Sequence, residues 1–93
     1  MATFTTRVEL HRADDEDYET LHTAMEQRGF SRSITGADGV AYHLPTAEYS
    51  YIGSMTRNEV LTLAKEAAGE TNRKHGVLVT ESNGRAWQGL TQT

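Results

Sequence analysis

A histidine, an arginine and two aspartates lie close together near the start of the sequence. His11 and Arg12 follow an alternating segment, and Asp14 and Asp15 come directly after them. An imidazole can act as a general acid or base because its pKa lies near neutrality. A guanidinium can hold a phosphate, and Asp14 or Asp15 could bind Mg²⁺, which prefers carboxylate oxygen. The aspartates could instead only cap a helix, which is the more frequent role of such residues.

A second histidine, His43, lies in an alternating segment over residues 40–44. If that segment neighbours the first strand, His11 and His43 share one sheet face with Arg7. Two histidines and an arginine would then supply the acid, the base and the phosphate clamp of metal-free RNA cleavage. The alternative is that they are sheet residues without a common task, or members of a dimer interface.

Other residues suggest contacts with nucleic acid. The basic turn over residues 73–76, RKHG, could touch a phosphate backbone or could be a solvated loop. Tyr49, Tyr51 and Trp87 could stack on bases or form a subunit contact, and we expect the two tyrosines to be exposed. No glycine pattern matches a phosphate-cradling fingerprint, and no GxSxG, HExxH or CxxC motif is present.

These residues must be positioned by a small set of elements. Alternation of apolar and polar residues predicts strands, and apolar residues at helical spacing predict helices. A helix begins at Asp14 or Asp15 and ends at Gly29, and a second begins with the capping box Thr56-Arg-Asn-Glu59. The predicted strands cover residues 3–11, 30–35, 40–44 and 77–81. Residues 47–52 could resume an extended strand, and 85–90 could form a short fifth one.

The order β-α-β-β-α-β predicts an α+β fold, the ferredoxin-like split βαβ arrangement. An antiparallel four-stranded sheet then carries both helices on one face and leaves the other open. We expect His22 at the edge of the core. The core is expected to contain Val8, Leu10, Leu21, Met25, Phe30, Ile34, Val40, Tyr42, Leu63 and Ala67.

Length and charge limit the function. The chain has 93 residues, which predicts a single domain over 1–93, and it carries no cysteine and a formal net charge of −4. A negative net charge argues against non-specific binding of nucleic acids but is compatible with a local basic patch. The sequence has neither a signal peptide nor a membrane-spanning run, so we expect a cytoplasmic protein that does not enter membranes.

The segment RVELHRADDEDYETLHTAMEQRGFSRSI, followed by GVAYHLPTAEY, resembles the GhoS-type endoribonuclease antitoxins of bacterial type V toxin–antitoxin systems. The likeness covers residues 4–81 and depends on pattern, including Asp17-Tyr18, Gly29-Phe30 and a Leu-Pro after the hairpin. The family is similar to ferredoxin-like CRISPR-associated nucleases, in which an Asp near the end of the first strand binds metal. Asp14 or Asp15 matches that position, although it lies within a capping segment. The resemblance implies sequence-selective cleavage of single-stranded toxin mRNA.

Two hypotheses follow. The first is a small endoribonuclease that binds single-stranded RNA without a cofactor, or with Mg²⁺ on the aspartates. Its candidate catalytic residues are His11, Asp14 and His43, and its candidate RNA-binding residues are Arg7, Arg12, Arg28 and Arg32. The second is a non-catalytic protein-interaction or dimerisation module of the same fold, in which the open sheet face is buried against a partner or a second copy. The acidic net charge and the lack of an obvious triad favour this second hypothesis, whereas the resemblance favours the first.

Overall fold

The alternation along the first strand, β1 (Ala2–Leu10), determines which face of the sheet is covered. Phe4, Thr6, Val8 and Leu10 are buried, as the alternation predicts. The residues between them point to the opposite face, because successive side chains of a strand alternate. One face of β1 therefore meets the core, and the other is the face on which Arg7, Glu9 and His11 lie.

The computed structural model describes residues 1–93, and it is a small α+β domain with two helices and antiparallel strands. After β1, the elements are α1 (Asp15–Gln27), β2 (Ser33–Thr35), β3 (Ala41–His43), β4 (Glu48–Gly53), α2 (Arg57–Gly69) and β5 (His75–Ser82). Neither helix has the length and apolar character that crossing a membrane would require.

The strands form two sheets, not the single four-stranded sheet that the sequence predicts. One sheet has the order β4-β1-β5, and β2 and β3 form a separate hairpin, with only an isolated bridge between Ser31 and Ser50 joining the two. The prediction that the 40–44 segment lies beside β1 is wrong, because β4 occupies that position. The six residues of β4 offer a longer ladder and two tyrosines for the core, whereas β3 has three residues.

Both helices begin as predicted. Asp14 caps α1 and Thr56 caps α2, and each forms a capping box in which two backbone N–H groups are satisfied by side chains. Gly29 follows α1 with a φ of 92°, in the left-handed region that glycine adopts without strain. The helices pack against each other, and α2 packs against β1 and β5.

The core agrees with the sequence except at a few positions. Of the predicted core residues, seven are buried: Val8, Leu10, Leu21, Met25, Phe30, Ile34 and Ala67. The other three, Val40, Tyr42 and Leu63, are half-buried.

The two tyrosines of β4 face the core. The expectation that Tyr49 and Tyr51 are exposed is wrong, because their partners across the ladder are Thr6 and Phe4 on the covered face of β1. Tyr49 is fully buried. The ring of Tyr51 lies 5.2 Å from that of Phe30. Neither tyrosine is therefore placed to stack on a base.

The C-terminal segment crosses to the hairpin. Residues 85–90 form no strand, so the predicted fifth strand is wrong. Instead, the N–H of His43 donates to the carbonyl of Thr91 at 2.8 Å, and the N–H of Thr93 donates to the carbonyl of Ala41 at 3.0 Å. The ring of Trp87 lies 5.7 Å from that of Tyr42. The segment after β5 thus spans from the sheet edge to β3.

Candidate nucleic-acid interface

Two turns of the chain meet at one corner of the domain. The N–H of His11, just after β1, donates to the carbonyl of Lys74 at 2.8 Å, just before β5. Arg12 and Asn72 have φ angles of 54° and 59°, so each turns the chain sharply next to this contact. The two turns enclose a hollow of about 460 Å³. Its lining residues are His11, Arg12, Asn72, Arg73 and Lys74.

The charges at this corner are predominantly positive. Arg73 is paired with Asp17, its Nε lying 2.8 Å from Oδ2. A hydrogen bond from the backbone N–H of Asp14, and then the Arg73 guanidinium, lower the pKa of the Asp17 carboxyl, although desolvation opposes them. Arg12 and Lys74 take part in no ion pair. Two unpaired cations therefore border a hollow whose lining contains no carboxylate.

His11 has a carboxylate beside its ring. Its Nε2 lies 3.4 Å from Oε1 of Glu9, and both side chains are largely exposed on the uncovered face of the sheet. Arg7 precedes them on the same face and is exposed. A solvent-accessible imidazole can exchange protons with a substrate that is bound beside it.

His43 lies elsewhere. It belongs to β3, which pairs only with β2 among the named strands, so it does not neighbour β1. Its side chain lines a separate hollow of about 380 Å³ together with Arg32. The expectation that His11 and His43 lie on neighbouring strands is therefore wrong. The reason is that Pro45 and the following turn end the hairpin, and only β4 enters the main sheet.

Asp14 is engaged in capping. Its Oδ1 accepts from the N–H of Asp17 at 2.9 Å, and its own N–H donates to Oδ2 of Asp17 at 3.1 Å. The structure contains no group of three or more histidine, aspartate or glutamate side chains arranged to hold a metal ion. Asp14 therefore has the capping function that the sequence offered as the alternative, and its catalytic role stays a prediction.

The four arginines expected to contact RNA occupy different environments. Arg12 lies in the corner hollow, Arg7 on the uncovered face, and Arg32 beside His43. Arg28 instead joins the two helices: its Nη2 lies 2.7 Å from Oε2 of Glu70, and its Nη1 donates to the carbonyl of Ala24 at 3.0 Å. We therefore do not include Arg28 among the residues of the candidate interface.

The sequence analysis made no connection between the turn at 73–76 and His11. The signal that could have joined them is the predicted sheet order, because β5 runs antiparallel to β1 and starts where β1 ends. Residues that precede β5 must then lie beside residues that follow β1. Arg85 was also missed, since an isolated arginine in a polar segment carries no pattern.

No protein-family model matches the chain, and no curated protein matches it. The resemblance to GhoS-type antitoxins stays a prediction, and the function has to be argued from the geometry.

Proposed function

We propose that this protein binds the phosphate backbone of single-stranded RNA at the corner hollow and cleaves it with His11 as the acid–base group. The observation that carries the proposal is the convergence of His11 with two unpaired cations, Arg12 and Lys74, in one hollow. A phosphodiester needs cations to hold its oxygens and a proton acceptor near its 2′-hydroxyl.

The net charge of −4 does not conflict with such an interface. Five of the thirteen acidic side chains lie at the start of α1, between residues 14 and 19, and two of these, Asp14 and Asp17, form its capping box. Phosphate binding depends on local cations, and each contact with a single strand lowers the slope of log affinity against log salt by about 0.7. The uncovered face continues from the corner through Arg7, so a strand bound at the hollow has a path along β1.

The chemistry needs no group beyond those present. His11 accepts the 2′-hydroxyl proton while O2′ bonds to phosphorus, the P–O5′ bond breaks, and the imidazolium returns the proton to O5′. The products are a 2′,3′-cyclic phosphate and a free 5′-hydroxyl. Glu9 steadies the imidazolium, and Arg12 and Lys74 stabilise the charge on the phosphate oxygens. A positioned acid–base group of this kind contributes about 10²–10⁴-fold in rate.

The strand order supports a relation to the split βαβ arrangement. The split βαβ arrangement has four strands in one sheet, and the strand after the first helix lies at an edge. Here three strands have the order β5-β1-β4, and the segment after α1 joins β4 only through the bridge between Ser31 and Ser50. We infer a ferredoxin-like domain in which the hairpin β2–β3 extends that edge. Type V antitoxins are the family that this inference and the sequence pattern together suggest.

The binding step is tested by fluorescence anisotropy of labelled single-stranded RNA with Lys74→Ala. The chain's other lysine, Lys65, is exposed on α2 and provides the matched control Lys65→Ala. We expect Lys74→Ala to weaken binding several-fold at low salt, and Lys65→Ala to leave it unchanged. Equal effects of the two variants would contradict a specific interface at the corner.

A second candidate function is dimerisation through the uncovered sheet face. Ile52 and Leu78 are 61% and 64% exposed there, which favours contact with another copy of the chain. Light scattering tests it: a dimeric mass that Ile52→Glu and Leu78→Glu both reduce to the monomer would support this function over the first.

A further inference from the structure

We propose that the cavity between the uncovered face of the sheet, the β2–β3 hairpin and the C-terminal segment binds one nucleotide unit, with its phosphate on Arg85 and its base against Trp87. The inference rests on the proposed function, since it assigns a second subsite to the same RNA. It concerns different residues from the corner hollow, so the two can fail separately.

The cavity has the size of a small-ligand site. Its volume is about 680 Å³, within the roughly 300–1,000 Å³ that such sites span. Arg85 is the one charged side chain in its lining. No carboxylate borders the cavity, so its potential favours an anion.

The guanidinium of Arg85 is held in place by hydrogen bonds, but some of its N–H groups have no acceptor. Both of its hydrogen bonds use Nη2, which donates to the carbonyl of Phe4 at 3.2 Å and to Oγ of Ser50 at 3.0 Å. Its Nε is buried and has no hydrogen-bond partner. A buried donor without an acceptor destabilises the folded chain, and more so when it belongs to a charged group. Nη1 makes no hydrogen bond and is not buried, so an anionic oxygen in the cavity can accept a hydrogen bond from it.

The remaining walls suit a ribonucleotide. Six residues with hydroxyl groups line the cavity: Thr3, Ser31, Ser33, Thr35, Ser50 and Ser82. Hydroxyls donate to and accept from sugar and phosphate oxygens. The indole of Trp87 and the side chain of Ile52 supply an apolar surface for a flat ring. An inorganic anion alone would use Arg85 and leave this surface without a contact.

The turn between β2 and β3 packs closely against the indole of Trp87. A Cβ at Gly36 would lie 3.3 Å from Cζ2 of Trp87 and 3.0 Å from Oδ1 of Asp38. Glycine at this position therefore lets Trp87 close against the turn. The ring of Tyr42 lies 5.7 Å from the indole and is tilted by 60° to it. The aromatic wall is consequently part of the fold and does not require the ligand for its placement.

Trp87 makes the cavity directly observable, because it is the chain's one tryptophan. We would titrate uridine 5′-monophosphate, uridine and inorganic phosphate while measuring tryptophan fluorescence. The expected result is a saturable change with the nucleotide at concentrations at least about tenfold lower than with either fragment. Arg85→Gln should weaken nucleotide binding by roughly 10-fold or more, as expected for loss of a charged hydrogen bond.

A pair of matched variants keeps the test valid if Arg85→Gln fails to fold. Ile52→Glu places a carboxylate in the cavity, whereas Leu78→Glu makes the same change on the same sheet outside it. We expect Ile52→Glu to abolish nucleotide binding and Leu78→Glu to retain it. A missing response in the wild-type protein, an equal response to uridine, or an equal loss in both variants would overturn the inference. Inorganic phosphate binding as tightly as the nucleotide would also overturn it.

The outcomes separate this inference from the proposed function. Lys74→Ala should lose RNA affinity and keep nucleotide binding. If RNA binds in a Lys74-dependent way and the nucleotide does not bind, the cavity assignment fails alone. If the nucleotide binds and RNA does not, the cavity site stands and the RNA function fails.

Discussion

The backbone N–H of His11 donates a hydrogen bond to the carbonyl of Lys74 at 2.8 Å, and this contact joins two segments far apart in the sequence. It continues the β1–β5 ladder by one step beyond the pair Leu10 and His75. The candidate acid–base group and an unpaired lysine are therefore held next to each other by a backbone hydrogen bond at the end of the sheet. A substrate phosphate held at Lys74 would lie beside the imidazole.

Arg12 should contribute one phosphate contact. For Arg12→Ala we expect weaker RNA binding and a shallower dependence of log affinity on log salt, with the slope reduced by about 0.7–1. The measurement is a binding series over several salt concentrations with a single-stranded RNA. Arg57→Ala, on α2, is the control, because Arg57 is exposed and lies outside the corner hollow. An unchanged slope in Arg12→Ala would remove Arg12 from the interface.

Arg28→Ala should leave RNA binding unaffected, although the sequence made Arg28 a candidate. Its guanidinium is occupied by Glu70 and the carbonyl of Ala24, which join α1 to α2. Partly exposed ion pairs contribute about 0–1 kcal/mol, so we expect a small loss in the free energy of unfolding. Denaturant unfolding and RNA anisotropy measure the two effects. A large loss of RNA affinity with normal stability would contradict this assignment.

Stability should fall on acidification because of His22. Burial, and then the positive charge of Arg32, lower the pKa of its imidazole, while Glu19 and Glu26 act in the opposite direction. At a pH below 6.5, the ordinary pKa of an imidazole, the unfolded chain therefore binds a proton at His22 more readily than the folded chain does. We expect the free energy of unfolding to decrease as pH drops from about 7 to 5.

The variant His22→Gln tests the source of this pH dependence. It removes the titrating group and keeps a side chain that can bond to Tyr49. The fall in stability between about pH 7 and 5 should become smaller than in the wild-type protein. Thermal unfolding as a function of pH measures it, and His75→Gln, at an exposed histidine, is the control. An unaltered pH profile in His22→Gln would show that another group is responsible.

The hydrogen bond between His22 and Tyr49 should itself stabilise the core. Nδ1 of His22 lies 2.6 Å from the hydroxyl of Tyr49, and both side chains are buried. Tyr49→Phe leaves the imidazole nitrogen without its partner, so we expect a loss of about 1–3 kcal/mol. Chemical denaturation gives the value, and Tyr18→Phe is a control on the half-buried side of α1. A loss no greater than that of Tyr18→Phe would contradict this contribution.

The sequence predicts the local elements of this fold better than their pairing. The capping residues Asp14 and Thr56 and the alternation of β1 are local signals, and the structure confirms them. β4 and not β3 pairs with β1 because this pairing buries Tyr49. That burial depends on contacts between residues far apart in the sequence, which local patterns do not report. The same limit explains why His43 was placed beside His11, and why the turn at 73–76 was not.

The acid–base claim is tested most directly by cleavage of a labelled single-stranded RNA panel in EDTA. We would compare the wild-type protein with His11→Ala and, as the matched control, His43→Ala. We predict cleavage by the wild-type protein without added metal, a loss of about 10²-fold or more in His11→Ala, and wild-type rates in His43→Ala. No cleavage by the wild-type protein, or equal rates for wild type and His11→Ala, would contradict it.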